Sequence, residues 1–236
     1  MGREKVFRFK QFAVRNDMSA MKVGTDGVLL GAWCPVNEAE RVLDVGTGCG
    51  VIALMMAQRN RHAMIDAIDI DHEAIKEASL NFADSPWPGR LTAIEADFND
   101  LDERQCYDLI VSNPPFFTTG VLPTGDARTT ARHTTSLTYR QLIEGSARLL
   151  SPDGTLALIS PTDAAPDIIE AAAFASLPVR MQTRVIPVEG AAAKRTLWLL
   201  SRRALPYRED VITIACRDGS YTPQYIKLTG AFYLKM

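Results

Sequence analysis

Asp44-Val45-Gly46-Thr47-Gly48-Cys49-Gly50 stands between a strand-like run, Arg41–Val45, and a helix-like run, Val51–Arg59. Glycines at alternate positions let the chain turn tightly and let a ligand approach the N-terminus of the helix that follows. The spacing is G-x-G-x-G, not the G-x-G-x-x-G of dinucleotide binders, and an acidic residue precedes the first glycine. Asp44 can accept from a charged amino group, so the expected ligand has a cationic end and no pyrophosphate. A glycine turn without a ligand is the alternative; the strand before it and the helix after it weigh against that.

Strand and helix alternate outward from this loop. Strand 63–69, helix 72–82, strands 91–96 and 107–112, helix 139–150 and strand 155–160 predict a parallel sheet covered on both faces. Runs 179–188 and 196–202, joined by Glu189, Gly190 and small residues, read as a hairpin, so a mostly parallel seven-stranded α/β sheet is expected to end antiparallel. Ahead of the loop, Val6, Phe7, Phe9, Phe12 and Val14 suggest a short hairpin, and Thr25 or Asp26 gives an N-cap signal for the apolar run Val28, Leu29, Leu30. Behind it come a strand at 211–215, a turn at Asp218-Gly219 and a helix begun by Thr222 and Pro223, with Tyr225, Leu228, Thr229 and Phe232 on one face. The expected organisation is a single domain over 1–236: an N-terminal extension (1–40), a ligand-binding core (41–202) and a C-terminal strand and helix addition (203–236).

Composition narrows the class. Of 236 residues 47% are hydrophobic and 23% charged, ordinary for a globular protein, and no apolar run reaches membrane-span length. The basic, aromatic N-terminus is followed by no apolar stretch, so no signal peptide is read and a cytoplasmic location is expected; the chain is expected to be a monomer. Cys34, Cys49, Cys106 and Cys216 form no C-x-x-C pair, so neither zinc nor a disulfide framework is indicated, and reduced, mostly buried thiols are expected. A formal net charge of -2 argues against bulk coating of nucleic acid but leaves room for local basic patches. Two such runs flank the middle of the chain: Arg3, Lys5, Arg8, Lys10 and Arg15, then Arg128, Arg132, His133 and Arg140. Solvated faces are the commoner fate of such runs.

Successive strand ends carry candidate ligand contacts. Asp69 can hold both ribose hydroxyls of a nucleoside, while Asp71 suits the N-cap of the next helix. Asp97 can accept from an adenine amino group, and Phe98 can cover one face of that ring. The fourth strand runs into Asn113-Pro114-Pro115-Phe116-Phe117. Two prolines remove two donors and bar Asn113 from helical geometry, so the Asn113 oxygen and the Pro114 carbonyl can accept together from a flat amino group stacked on a ring. Alone, this stretch serves equally well as a turn capped by an asparagine. The glycine loop upstream decides between the two.

With these motifs the chain resembles the class I S-adenosylmethionine-dependent methyltransferases, in the branch with Asn-Pro-Pro-aromatic after the fourth strand. It is more closely similar to the bacterial tRNA adenine-N6 methyltransferases that act on the anticodon loop of a valine tRNA. The likeness spans nearly the whole chain, including Phe7 to Phe12, Met21 to Trp33, Ala131-Arg132-His133-Thr134 and the ending from Asp218 through Leu234. It implies a Rossmann-like fold, S-adenosylmethionine as cofactor with S-adenosylhomocysteine as product, no metal, and tRNA as partner, methylated at the adenine 3′ of the anticodon. Asn113, Pro114, Pro115 and Phe116 would be catalytic. Lys22, Thr25, Asp26, Asp44, Gly46, Thr47, Gly48, Gly50, Asp69, Ile70, Asp97, Phe98 and Asn113 would hold the cofactor. Lys5, Arg8, Lys10, Phe117, Arg128, Arg132, His133, Lys194 and Arg195 would meet RNA. Phe116 departs from the Tyr of many relatives, which keeps stacking and loses a phenol hydroxyl.

Other readings compete, of which a nicotinamide-dependent oxidoreductase is the weakest because the glycine spacing is wrong for it. A protein-glutamine methyltransferase would use the same loop on another planar amide, but such enzymes carry an added helical N-terminal domain for which some forty residues leave little room. DNA adenine or ribosomal RNA guanine is a second possible target. A scaffold that binds cofactor or RNA without catalysis is the third, and the intact Asn113 loop beside an intact cofactor loop argues against it.

Overall fold

The computed structural model describes residues 6–20, 22–102, 104, 106–114 and 137–236. The glycine loop is bounded as its sequence demands: β3 (Arg41–Val45) enters it and α2 (Val51–Arg59) leaves it. β4 (Met64–Asp69) and β6 (Tyr107–Ser112) flank β3 on opposite sides, both parallel to it. β5 (Leu91–Glu95) lies beyond β4 and β7 (Leu150–Pro161) beyond β6, again parallel. β9 (Arg195–Ser201) is inserted antiparallel between β7 and β8 (Val179–Val188), as the hairpin requires. β10 (Arg208–Ala215) then pairs parallel with β8, giving the order β10-β8-β9-β7-β6-β3-β4-β5.

Among the described residues the sheet thus has eight strands: the expected seven, joined by the C-terminal strand that the sequence places in an addition. Its outer edge is covered by α6 (Pro223–Thr229), where Gln224 donates to the Val211 carbonyl at 2.8 Å and accepts from Thr213 N at 3.4 Å. Satisfying those groups removes the pairing hazard of an open edge. Phe232, expected on the face of this helix, lies just past its end and is buried all the same.

Helices cover both faces. α1 (Thr25–Trp33), α2 and part of α3 (His72–Ala83) share one apolar cluster with Phe9, Phe12, Tyr225 and Phe232 from the chain ends. α4 (Tyr139–Leu149) and α5 (Ala165–Phe174) build the other with Leu43, Ile110, Leu158 and Trp198. α5 is absent from the expected elements. The N-terminal hairpin, β1 (Val6–Arg8) with β2 (Ala13–Arg15), forms as expected, and its Phe9 ring lies 6.0 Å from that of Tyr233. Cys34 and Cys49 are buried, Cys216 is half-buried and Cys106 exposed. Among the described residues no helix is long and apolar enough to cross a membrane.

The turn into α2 is sterically fixed. Gly50 has φ +81°, and a Cβ there would lie 2.5 Å from the Phe82 ring. Gly50→Ala therefore meets both a left-handed backbone and a wall of core, and should lower stability by about 2 kcal/mol or more. Urea unfolding at constant m-value is the check.

Candidate active site

β3 and β6 lie side by side, and the chain leaves them toward opposite halves of the sheet. Ligands of open α/β sheets sit at such a switch point, outside the carboxyl ends of the strands. Val45 is in register with Ser112, whose hydroxyl donates to the Val45 carbonyl at 2.9 Å. Gly46 and Asn113, the next residues, therefore emerge together. A cavity of about 320 Å³ opens there, lined by Gly46, Thr47 and Gly48, by Lys22 and Gly24, by Thr25, Asp26 and Gly27 of the first turn of α1, and by Asn113. Gly46 has φ +70° and open space where a side chain would be, which leaves the loop backbone accessible.

Asn113 is half-buried, and its Oδ1 has no hydrogen-bond partner among the described residues. A buried acceptor left unpaired costs roughly 1 to 3 kcal/mol, so such an oxygen on a residue that lines a cavity is a candidate partner for a donor from a ligand.

Asp44 is placed differently from the expectation. It is fully buried beneath the loop and is not among the cavity-lining residues. Oδ2 accepts from Thr47 Oγ1 at 2.7 Å and Ala53 N at 3.2 Å, while Oδ1 has no partner among the described residues. Burial pushes its carboxyl up to about 7, against the pull of those two bonds. Its visible role is to brace the loop against α2. The carboxylate on the cavity wall belongs to Asp26.

Asp69 accepts from Gly48 N at 2.9 Å through Oδ2 and from Asp71 N at 3.0 Å through Oδ1. An ionised carboxylate keeps further lone pairs, so Asp69 is oriented by the loop and still able to accept from hydroxyls. Asp71 caps α3 through Glu73 N. Ile70 is 50% exposed at the same strand end, an apolar surface fit for the face of a ring. Asp97 is occupied on Oδ1 by Asn99 N and Nδ2 at 2.8 and 2.9 Å. Phe98 corrects the expectation: it is 3% exposed and packs against Gly145 of α4, so its ring belongs to the core and has no free face for an adenine. Thr25 and Asp26 are likewise not caps. They lie inside α1, whose N-cap is Gly24, and the Asp26 side chain is turned to Arg195.

One support behind the wall was not expected at all. Glu77 of α3, fully buried, accepts from Asp17 N and Met18 N at 2.7 Å and from Ser19 N at 3.0 Å. One turn on, Asn81 accepts from Arg15 N at 2.7 Å and donates to the carbonyls of Arg15 and Cys49. These two side chains tie residues 15–19 to the glycine loop. Lys22, at the end of that strap, donates to the Ser19 carbonyl at 2.6 Å. An i, i+4 pair of polar residues on a helix gives no sequence signal that separates it from a solvated face.

The expected RNA contacts divide. Arg8 and Lys194 are exposed. Lys10 donates to the Gly230 carbonyl at 2.5 Å. Arg195, expected to meet RNA, forms an ion pair with Asp26 at 2.8 Å, because strand β9 brings it over the first turn of α1. Lys5, Pro115, Phe116, Phe117, Arg128, Arg132 and His133 lie outside the described residues.

This fold and cavity define a Rossmann-like methyltransferase. The family model for the methyltransferase small domain matches residues 18–183. The tRNA1(Val) (adenine(37)-N6)-methyltransferase of Aeromonas salmonicida (strain A449) is 48% identical over 100% of both chains, and the chain belongs to this family. Among solved structures, a predicted O-methyltransferase of Agrobacterium tumefaciens superposes with a TM-score of 0.66 at 19% identity, over 88% of this chain and 96% of that one. The 16S rRNA N2 G1207 methyltransferase of T. thermophilus, in complex with AdoMet and guanosine, gives 0.55 at 20% identity, over 84% and 50%. These two likenesses concern the fold.

Proposed function

We propose that the chain, working as one cytoplasmic domain, transfers the methyl group of S-adenosylmethionine to N6 of the adenine 3′ of the anticodon in a valine tRNA. The observation that carries this reading is Asn113, which lines the cavity shared with the glycine loop and whose buried Oδ1 has no hydrogen-bond partner among the described residues. The residues fit the cofactor. Asp26 offers a carboxylate to its cationic end, the Gly46–Gly48 backbone lies open along the cavity, and Asp69 is oriented to accept from ribose hydroxyls. When bound, the cofactor supplies an already activated methyl group, so the chain has chiefly to place a nitrogen in line with it.

Adenine's amino nitrogen is a poor nucleophile because its lone pair is delocalised into the ring. Accepting hydrogen bonds from both of its N–H groups, at Asn113 Oδ1 and the Pro114 carbonyl, favours a pyramidal nitrogen and stabilises positive charge as it develops, and the surplus proton passes to water once the methyl has moved. Phe116 or Phe117 would stack on the base. The target must leave its stack to enter, which costs little in a single-stranded loop. Purified protein, labelled cofactor and total tRNA test the reading: N6-methyladenosine should appear in valine tRNA, and mass spectrometry of nucleosides from a deletion strain should show its loss. Tritium in protein or ribosomal RNA, and none in tRNA, would contradict it.

A further inference from the structure

Asp26 and Arg195 stand 169 residues apart in sequence and meet beside the cavity, Oδ2 to Nε at 2.8 Å. Asp26 is the carboxylate among the cavity-lining residues, since Asp44 is sealed below the loop. Arg195 opens β9 opposite Pro161, the last residue of β7, at the same sheet edge as Asn113. The contact is made through Nε; Nη1 is turned to the Lys194 carbonyl at 3.1 Å. The two side chains are 24% and 33% exposed. A pair with water in reach of both partners is far weaker than a buried two-pronged fork, and either partner can be drawn off by a competing charge.

Resting on the tRNA methylation reading above, we propose that this ion pair couples the two ligands. The cationic end of the cofactor takes Asp26, and a phosphate of the RNA takes Arg195. Each ligand thus has to dismantle the same pair. Whichever binds first bears that cost, and the second finds its partner group already released, so each raises the affinity of the other by an equal factor. The consequence for the reaction is order: the protein grips RNA best when a cofactor is in place, and lets both go together. The competing account is a static staple that only fastens α1 to β9.

Calorimetry with S-adenosylhomocysteine, which cannot react, and an anticodon stem-loop RNA separates the two accounts. In the wild type each ligand should tighten the other about 5-fold, the lower end of ordinary coupling, as suits a partly exposed pair. Asp26→Asn and Arg195→Gln should each bring that factor to within about twofold of unity, and the double variant should add nothing further. A staple predicts the reverse: lower melting temperatures in the variants, with whatever coupling exists left intact. That outcome, or a wild type that methylates tRNA without coupling, overturns the proposal. A parallel methylation assay keeps the layers distinct, because a wild type inactive on tRNA removes the underlying reading and the proposal with it.

Discussion

Asn113→Ala is expected to lower methyl transfer by at least about 100-fold, the usual loss when one preorganised transition-state contact is removed, while affinity for S-adenosylhomocysteine stays within about twofold. The reasoning is local. Asn113 follows Ser112, which is fastened to Val45 both by strand register and by its hydroxyl, so the carboxamide is delivered to the cavity by the two central strands of the sheet. Its Oδ1 has no partner among the described residues and therefore holds nothing in place. Truncation should accordingly leave the melting temperature unchanged or slightly raised, because an unpaired buried acceptor is a cost to the folded state. Single-turnover methylation, calorimetry and thermal melts together make the check. More than a tenth of the wild-type turnover would contradict the role given to Asn113, and a large fall in stability would show that the residue is structural.

Much of this site was legible because short-range patterns wrote it. The bounds 41–45, 51–59, 107–112 and 179–188 are those the sequence predicts; the first three are apolar runs that end at glycine, proline or a change of period, and the fourth lies between Pro178 and Gly190. α5 escaped because its core contacts are Ile168, Ala171 and Ala172 in an alanine-rich stretch, where small residues blur the apolar stripe. β7 begins at Leu150, not 155, because Leu150 pairs with Tyr107 across an irregular step that no pattern announces. Phe98 and Asp44 show the limit on the ligand side. Residue type and position at a strand end were right for ligand contact, yet packing turned one ring against Gly145 and sealed one carboxylate under the loop. The Asp26–Arg195 pair depends on two segments brought together only by the completed sheet.

The strap held by Glu77 leads to the second large effect. Glu77→Ala should cost about 3 kcal/mol, since hydrogen bonds to a charged group contribute roughly 1.5 to 3 kcal/mol each and three that share one acceptor do not add fully. For a chain of this size that is a fall in melting temperature of about 6 to 12 °C. The carboxylate serves the amides of Asp17, Met18 and Ser19, and the Ser19 end is buried where water cannot replace it. The effect should carry a pH signature. Burial alone would raise the Glu77 carboxyl, but the backbone amides and the Ser19 hydroxyl outweigh it, and the group is held below its ordinary 4.5. A carboxyl whose folded value is depressed lends stability that is complete above the unfolded value and lost as pH falls through the folded one. The gap between wild type and variant should therefore be constant from neutral pH down to about 4.5, then narrow in more acid solution. Denaturant midpoints measured across that range decide the matter, and a gap that is as wide at pH 3 as at pH 7 would mean that packing, not the charge, holds the strap. Because residues 15–19 lead into Lys22 and the first turn of α1, the variant should also bind S-adenosylhomocysteine more weakly at neutral pH. Hydrogen exchange should then be fastest at the amides of Asp17, Met18 and Ser19, and those of β3 and β6 should keep their protection.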